Sequence, residues 1–296
     1  VPEFRFDPIT GRRVIVAAKR AERPLNLRPA AVSRTDRECP FCPGNESLTP
    51  AATAVFLDDT GNSWQVRVVP NLYPAVDPET SATGDENPRP SGEFETTEPA
   101  SGHHEVIIES PRHVTTLTEL TQAEIGTVLS AYRQRFQYFA SVESIRYVIL
   151  FKNCGRAAGV SQEHIHSQLV ALPIVPTAVT SELRGAQAWY DRDHRCVFCE
   201  MIAFELARNV RVVLDEHHFV AICPFASRFP FQLWILPKSH AASFQSARDE
   251  QLHALALVLQ LLLTRLEQAA GLTEYNLFFH SAPFDNRATS YYHWHI

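Results

Sequence analysis

Three scarcities narrow the reading of this 296-residue chain before any motif is considered. Positive charge is not in surplus: 27 lysines and arginines stand against 33 acids, a net charge of −6. Proteins that neutralise a long phosphate backbone carry clustered excess cations, so sequence-independent nucleic-acid binding is not expected. Long apolar runs are missing. The stretch LHALALVLQLLL at 252–263 falls short of the roughly 20 residues that span a bilayer, and VPEFRFDPITG at the start has no apolar signal core. A soluble cytoplasmic protein with no membrane partner is the expectation. Cysteine is sparse, and four of the six residues form two C-x-x-C pairs, Cys39/Cys42 and Cys196/Cys199, with Cys154 and Cys223 single. In a reducing compartment such pairs bind metal or do redox work more often than they form disulfides. A thioredoxin-like site needs its pair at a strand-to-helix junction, whereas CPFCPGNE runs on into Pro and Gly. Zinc is the better reading, provided each pair finds two more ligands.

What is present is a hydrophobic fraction of 45% in a chain long enough for one large domain or two ordinary ones. Apolar periodicity lays out one order of elements twice. In the first half come a strand at 105–111, then Arg112 and His113, and a helix from about Thr118 to Ala140, with Thr121 and Glu124 as a capping box. A strand at 146–152 and, after a polar turn, the strand HIHSQLVAL follow. In the second half FQLWILPKSH (231–240) ends in Pro and His. A helix runs from about Arg248 to Ala270 and stops at Gly271, YNLFFHSAP (275–283) is the next strand, and HWHI closes the sequence. The halves align as Cys39, Cys42, His113, His164-x-His166 and Cys196, Cys199, His240, His293-x-His295. His113 and His164 are 51 residues apart and His240 and His293 are 53 apart, which points to duplication of one unit. The expected division is 1–175 for the unit with the first H-x-H and 176–296 for the second. The strand at YHWHI breaks off in mid-course, so a truncated C-terminus is expected. Segment 77–102, rich in Pro, Gly, Ser and acids, reads as a long mobile loop. Segment 176–195 joins the halves and reads as including a short helix.

In a strand, residues i and i+2 share a face, so His164 and His166 project to one side about 6 to 7 Å apart while Ile165 points into the opposite layer. If His164 joins Cys39, Cys42 and His113 in a closed tetrahedral site, the metal is structural and His166 is left as a rigidly presented nucleophile. Two plainer readings stay open: a strand with two half-exposed imidazoles, and both rings on one metal. His103, His104, His217 and His218 compete as ligands. Gln168 is the next residue on the same face and offers a carboxamide to a phosphate oxygen. The turn carrying Gly155, Gly159 and Ser161 suits an anion-binding nest, or is an ordinary glycine turn. Lys19, Arg20 and Arg23 form a compact cationic cluster, by default a solvated surface but well suited to pyrophosphate.

Taken together, RVIVAAKRAERP, CPFCPGNE, VVPNLYPA, ESPRH, FKNCGRAAGVSQEHIHSQ, LPKSH, HSAPF and HWHI resemble the galactose-1-phosphate uridylyltransferase family, within the histidine-triad superfamily. The resemblance covers nearly the whole chain. It implies zinc on Cys39, Cys42, His113 and His164, phosphate contacts from Gln168 and Ser161, and nucleotide contacts from Asn71, Asn153 and Gly159. Arg20 and Arg23 match a basic pair that reaches across a homodimer interface. It also implies a ping-pong reaction in which His166 takes UMP from UDP-glucose and passes it to galactose 1-phosphate. Ile165 departs from the proline that uridylyltransferases commonly carry there and resembles other histidine-triad branches, which leaves UDP against ADP open. In some members the second half holds a metal through histidines and a carboxylate, in others through a second C-x-x-C. Repeat logic selects Cys196, Cys199, His240 and His293 here. His295 occupies the nucleophile's slot without the glycine-serine turn before it or a glutamine after it, so it is not expected to react.

The leading expectation is a hexose-1-phosphate uridylyltransferase. The alternative on the same scaffold is a nucleoside-diphosphate-sugar or dinucleotide phosphorylase, including one acting on ADP-glucose. Outside enzymes, a zinc-stabilised binding module is the competitor. The expected architecture is α+β: two histidine-triad-like repeats with a largely antiparallel sheet and helices packed on one face.

Overall fold

The computed structural model describes residues 3–16, 39–58, 60–78, 89–90, 96–97, 100–271, 273–285 and 287–296. A hairpin of β1 (Glu3–Phe6) and β2 (Arg13–Val16) comes first. It is followed by β3 (Ala54–Leu57), β4 (Trp64–Pro70), a small pair of β5 (Arg89–Pro90) with β6 (Thr96–Thr97), β7 (His103–Ile108), α1 (Gln122–Ala140), β8 (Tyr147–Cys154) and β9 (His166–Leu172). Then come α2 (Thr177–Asp193), α3 (Val197–Arg208), β10 (Val212–Asp215), β11 (Phe219–Ile222), β12 (Trp234–Pro237), α4 (Asp249–Ala270) and β13 (Tyr275–Phe279). The fold is α+β, and the pairing within its named sheets is antiparallel. No helix among the described residues is long and apolar enough to cross a membrane.

The larger sheet has the order β13-β8-β9-β7-β4-β3, so its first strand comes from the second half of the chain. The smaller sheet is β10-β11-β12. The last residues join them: Ile296 exchanges backbone hydrogen bonds with Ile235 of β12 (2.9 and 3.0 Å), and His295 does so with His280, just beyond β13 (3.0 and 2.8 Å). Hydrogen bonding thus runs from one repeat into the other. In each, the segment carrying H-x-H lies between the strand before the long helix and the strand after it, but the strand expected to hold both histidines is shorter: His166 opens β9 with His164 just before it, and His295 forms an isolated bridge to His280.

Strand alternation gives the larger sheet two unlike faces. Val148, Leu150 and Lys152 of β8 are buried toward the helices, whereas Ile149, Phe151 and Asn153 on the other face are half-buried. Helix α1 buries Ile125, Val128, Leu129, Tyr132, Phe136 and Phe139, an i, i+3, i+4 stripe. It packs in one core with Leu252, Leu255, Leu259 and Leu262 of α4. Helices α2 and α3 stand outside the repeat: Ala186, Phe198 and Ile202 pack with Val220, Ile222 and Leu236 in a separate core on the smaller sheet.

The capping box at Thr121 and Glu124 is present, with reciprocal bonds of 3.3 and 2.7 Å, and α4 ends at Gly271. The helix starts later than the periodicity suggested, because Leu117–Glu119 forms its own 3-10 turn, capped by Thr116. The short helix expected in 176–195 is the 17-residue α2, which fully buries only Val179 and Ala186, too weak a stripe to be read from sequence. Helix α3 was not anticipated, because its first turn is the C-x-x-C itself. The mobile loop expected over 77–102 falls largely outside the described residues.

On the helix face, directly behind β9, lies a buried polar cluster. Lys152 Nζ donates to Glu109 Oε2 (2.6 Å) and to the carbonyl of His166 (2.9 Å). Glu109 Oε1 also accepts from Tyr132 and Ser167. Nearby, Arg135 grips Glu105 with two bonds of 2.8 and 2.9 Å. Removing one member of a buried pair strands the other charge, which costs about 3–5 kcal/mol. Lys152→Met is therefore expected to destabilise the protein by roughly that amount, read as a lower denaturant midpoint at unchanged slope. An unmoved midpoint would show that Glu109 does not need its partner.

Candidate active site and metal centres

Two groups of four side chains stand in equivalent places of the two repeats. In the first, Cys39, Cys42, His113 and His164 bring one ligand atom each to within 4.8 Å of one another, and in the second Cys196, Cys199, His240 and His293 do the same. Sulfur and imidazole nitrogen bound to one ion at about 2.3 and 2.05 Å with tetrahedral angles stand about 3.5 Å apart. The separations agree: 3.5 Å from Cys39 Sγ to His164 Nδ1, 3.2 Å from Cys42 to His113, 3.5 Å from Cys42 to His164. Cys199 lies 3.4 Å from His240 and 3.6 Å from His293. Three of the four imidazoles are visibly braced from behind. Nε2–H of His164 donates to Ser110 O (2.8 Å), of His240 to Thr289 O (2.8 Å) and of His293 to Pro237 O (2.9 Å), leaving Nδ1 as the atom that could bind an ion. Either group could hold a metal. A hydrogen bond from Cys199, with His240 and His293 beside it, pulls the Cys196 thiol below its ordinary pKa. Among the described residues the competing histidines join neither group. His103 packs on Phe139 and His217 on His218.

His164 is fully enclosed, and its carbonyl accepts a hydrogen bond from His166 Nδ1 at 2.8 Å. That bond fixes the His166 tautomer, putting the proton on Nδ1 and the lone pair on Nε2. His166 keeps 7% of its surface, against 0% for His164, and the edge of its ring meets Phe41 (5.3 Å between centroids). Burial lowers its pKa below the usual histidine value, favouring the neutral, nucleophilic form.

The same face of the sheet carries most of the polar residues singled out in the sequence. Gln168 Oε1 lies 2.9 Å from His104 Nε2, which is 3.2 Å from Asn71 Nδ2. Asn153 Oδ1 accepts from Asn276 Nδ2 (2.8 Å). The turn after β8 has Gly155 at φ +85° and Gly159 at φ +90°, and Ser161 is exposed beyond it. A Cβ on Gly155 would come within 2.2 Å of Glu274. Arg20 and Arg23 lie outside the described residues. Sequence reasoning missed Glu274 and Asn276, which tie this turn to β13: Glu274 Oε1 accepts from Ala157 N (3.1 Å), and Asn276 Nδ2 donates to Ala158 O (2.9 Å). Their only signal was the repeat itself, which sets β13 beside β8.

His295 repeats the internal bond of His166, donating from Nδ1 to His293 O (3.0 Å), but it ends differently. It is 2% exposed, stacks on His280 at 4.6 Å, and burial lowers its pKa to about 3. Glu182 of α2 accepts from His280 (3.0 Å) and Tyr292 (2.9 Å). Burial alone would raise its carboxyl, yet His280 and its neighbours hold it at about 2. Glu182, His280 and His295 form a third group within 4.8 Å, so a carboxylate-histidine set and a C-x-x-C set stand side by side in this unit.

Family models for the galactose-1-phosphate uridyl transferase N-terminal and C-terminal domains match residues 1–176 and 183–296. The chain belongs to that family. Members and relatives by name transfer nucleotidyl groups, and the chain is an enzyme of that class. Within the family it is 36% identical to the ADP-glucose phosphorylase of Arabidopsis thaliana, over 100% of this chain and 83% of that protein. It is 26% identical to the galactose-1-phosphate uridylyltransferase of Thermotoga maritima, over 99% of this chain and 85% of that one. Among solved structures, an ADP-glucose phosphorylase from A. thaliana with bound ADP-glucose aligns with a TM-score of 0.83 at 33% identity, covering 100% of this chain and 88% of that one.

The paired geometry of the two four-residue groups leads to a metal count. Purified protein is expected to carry two ions per chain by elemental analysis, with one lost in Cys42→Ala and the other in Cys199→Ala. A count unchanged by either substitution would exclude these ligand sets.

Proposed function

We propose that His166 carries a nucleotidyl group between a nucleoside-diphosphate glucose and an acceptor, and that the donor is ADP-glucose and the acceptor orthophosphate. The single observation behind His166 is its tautomer: a neutral, buried imidazole whose Nδ1–H is committed to His164 O, so that Nε2 holds the reactive lone pair. Nε2 attacks the α-phosphorus, forming an N–P bond as the P–O bond to glucose 1-phosphate breaks and that stable anion departs. The positive charge gained by the ring is eased by the His164 carbonyl. An oxygen of orthophosphate then attacks the same phosphorus, the N–P bond breaks, ADP leaves, and the imidazole returns neutral. No general base is required for either step.

Charge on the non-bridging oxygens calls for fixed donors. Gln168, Ser161 and the backbone N–H groups of the turn at 155–161 are assigned that part, with Asn71, Asn153 and Gly159 toward the nucleotide. The ion in the first four-residue group is proposed to be zinc, as two thiolates and two imidazoles suit it and no acid enters the set. A closed set of four leaves no position for substrate, so its contribution is to hold Cys39, Cys42, His113 and His164, and through His164 the strand that presents His166. The same metal is proposed for Cys196, Cys199, His240 and His293.

Preference for ADP-glucose is supported by the 36% identity to a phosphorylase named for that substrate, against 26% to a uridylyltransferase over the same span. The family models support the second reading, UMP transfer from UDP-glucose to galactose 1-phosphate. Incubation with each donor alone, followed by intact-mass and peptide analysis, separates them. An AMP adduct on His166, discharged by orthophosphate and absent in His166→Ala, is the expected result. A UMP adduct discharged only by galactose 1-phosphate would replace the first reading with the second, and no adduct from either would remove both.

A further inference from the structure

Gln168 can help a phosphoryl group only one way round. Its amide nitrogen donates and its oxygen accepts, and phosphate oxygens only accept, so a half-turn of the carboxamide would present a repulsive atom. Something must therefore hold its orientation. Val106 is the cross-strand partner of Gln168, and His104, two residues earlier on β7, lies diagonally across from Gln168 on the same face.

The proton on His104 can be located from its neighbours. Its Nδ1 accepts the backbone N–H of Ala75 at 2.9 Å, and a backbone N–H has no acceptor to offer, so Nδ1 bears the lone pair. With Nδ1 accepting, the ring carries one proton, on Nε2, and burial, which lowers its pKa, acts in the same direction. Nε2 faces Gln168 Oε1 at 2.9 Å. The amide oxygen is thereby occupied, and the NH2 group is left for the open face that His166 shares. Asn71 does not compete for that proton. Its Oδ1 accepts from Tyr73 N (2.9 Å), so its Nδ2, itself a donor, lies 3.2 Å from Nε2 as a contact and not as a hydrogen bond.

We propose that His104 is a positioning residue for nucleotidyl transfer, locking the Gln168 carboxamide so that its N–H groups meet the transferring phosphoryl oxygens. The proposal rests on His166 being the nucleophile. It explains a histidine that competed as a metal ligand in the sequence and yet stands in neither four-residue group. Gln168 is thus read as half of a unit, with the backbone of Ala75 as its far end.

Single-turnover formation of the His166 adduct, with ADP-glucose and UDP-glucose as donors, tests this in four variants. His104→Phe keeps the ring and removes the donor, and should slow adduct formation about 10- to 100-fold while the donor KM moves less than about threefold. His104→Gln, which can still donate to the Gln168 oxygen, should recover most of the rate. His104→Phe combined with Gln168→Ala should be no slower than Gln168→Ala alone, since an unheld amide and a missing one lose the same contact. A His104→Phe enzyme at the wild-type rate would overturn the proposal, as would losses that multiply in the double variant. Should His104→Phe fail to fold, judged by metal content, a folded His104→Gln variant as slow as Gln168→Ala overturns it equally well. An adduct missing from the wild type would remove the nucleophile itself, whereas a normal adduct indifferent to His104 removes this inference alone.

Discussion

The hydrogen bond from His166 Nδ1–H to the carbonyl of His164 is the constraint on which the site depends. It belongs to a short relay: Nδ1 of His164 faces Cys39 and Cys42, Nε2–H of the same ring is tied to Ser110 O, and its carbonyl orients the next imidazole but one. One residue thereby ties the first four-residue group to the strand and to the imidazole of His166. From the opposite face Lys152 holds the carbonyl of His166. A residue gripped on both sides loses little freedom on reaching its transition state, which is where positional catalysis gains its rate.

The same relay occurs twice, and in the proposed mechanism only one copy reacts. His295 donates to His293 O as His166 does to His164 O, and a four-residue group backs each. What differs is the company. Beside His166 stand Gln168 and Asn153, together with a glycine turn anchored by Glu274 and Asn276. The ring of His295 is closed over by His280, Trp234 and Phe198, with Glu182 in the same enclosed cluster. The second unit still serves the first, because the residues that anchor the turn come from β13 and the position just before it. Neither repeat is complete alone, and the paired strands β8 and β13 are where they meet.

Much of this could be read from the sequence because it follows local rules. The capping box at Thr121, the stop at Gly271 and the stripes of α1 and α4 are set by neighbours three or four residues away. The two four-residue groups were legible because C-x-x-C and H-x-H are short, and their repetition in order made chance an unsatisfactory explanation. The rest was hidden because it is long-range. Glu182 reaches His280 across 98 residues, Lys152 reaches Glu109 across 43, and Asn276 reaches Asn153 across 123. No spacing rule joins such residues before the sheet order is known. Helix α2 was read as short because so little of it is buried, and His104 stayed in competition as a ligand because spacing alone cannot tell which atoms a ring nitrogen will face.

The central claim is that the free nitrogen of His166 is Nε2, since Nδ1–H is spent on the preceding histidine's carbonyl. Phosphorus NMR of the trapped nucleotidyl-enzyme, with the linkage assigned from coupling to a ring-labelled histidine, tests it most directly. Attachment at Nε2 of His166 is predicted; attachment at Nδ1, or at any other residue, would contradict it.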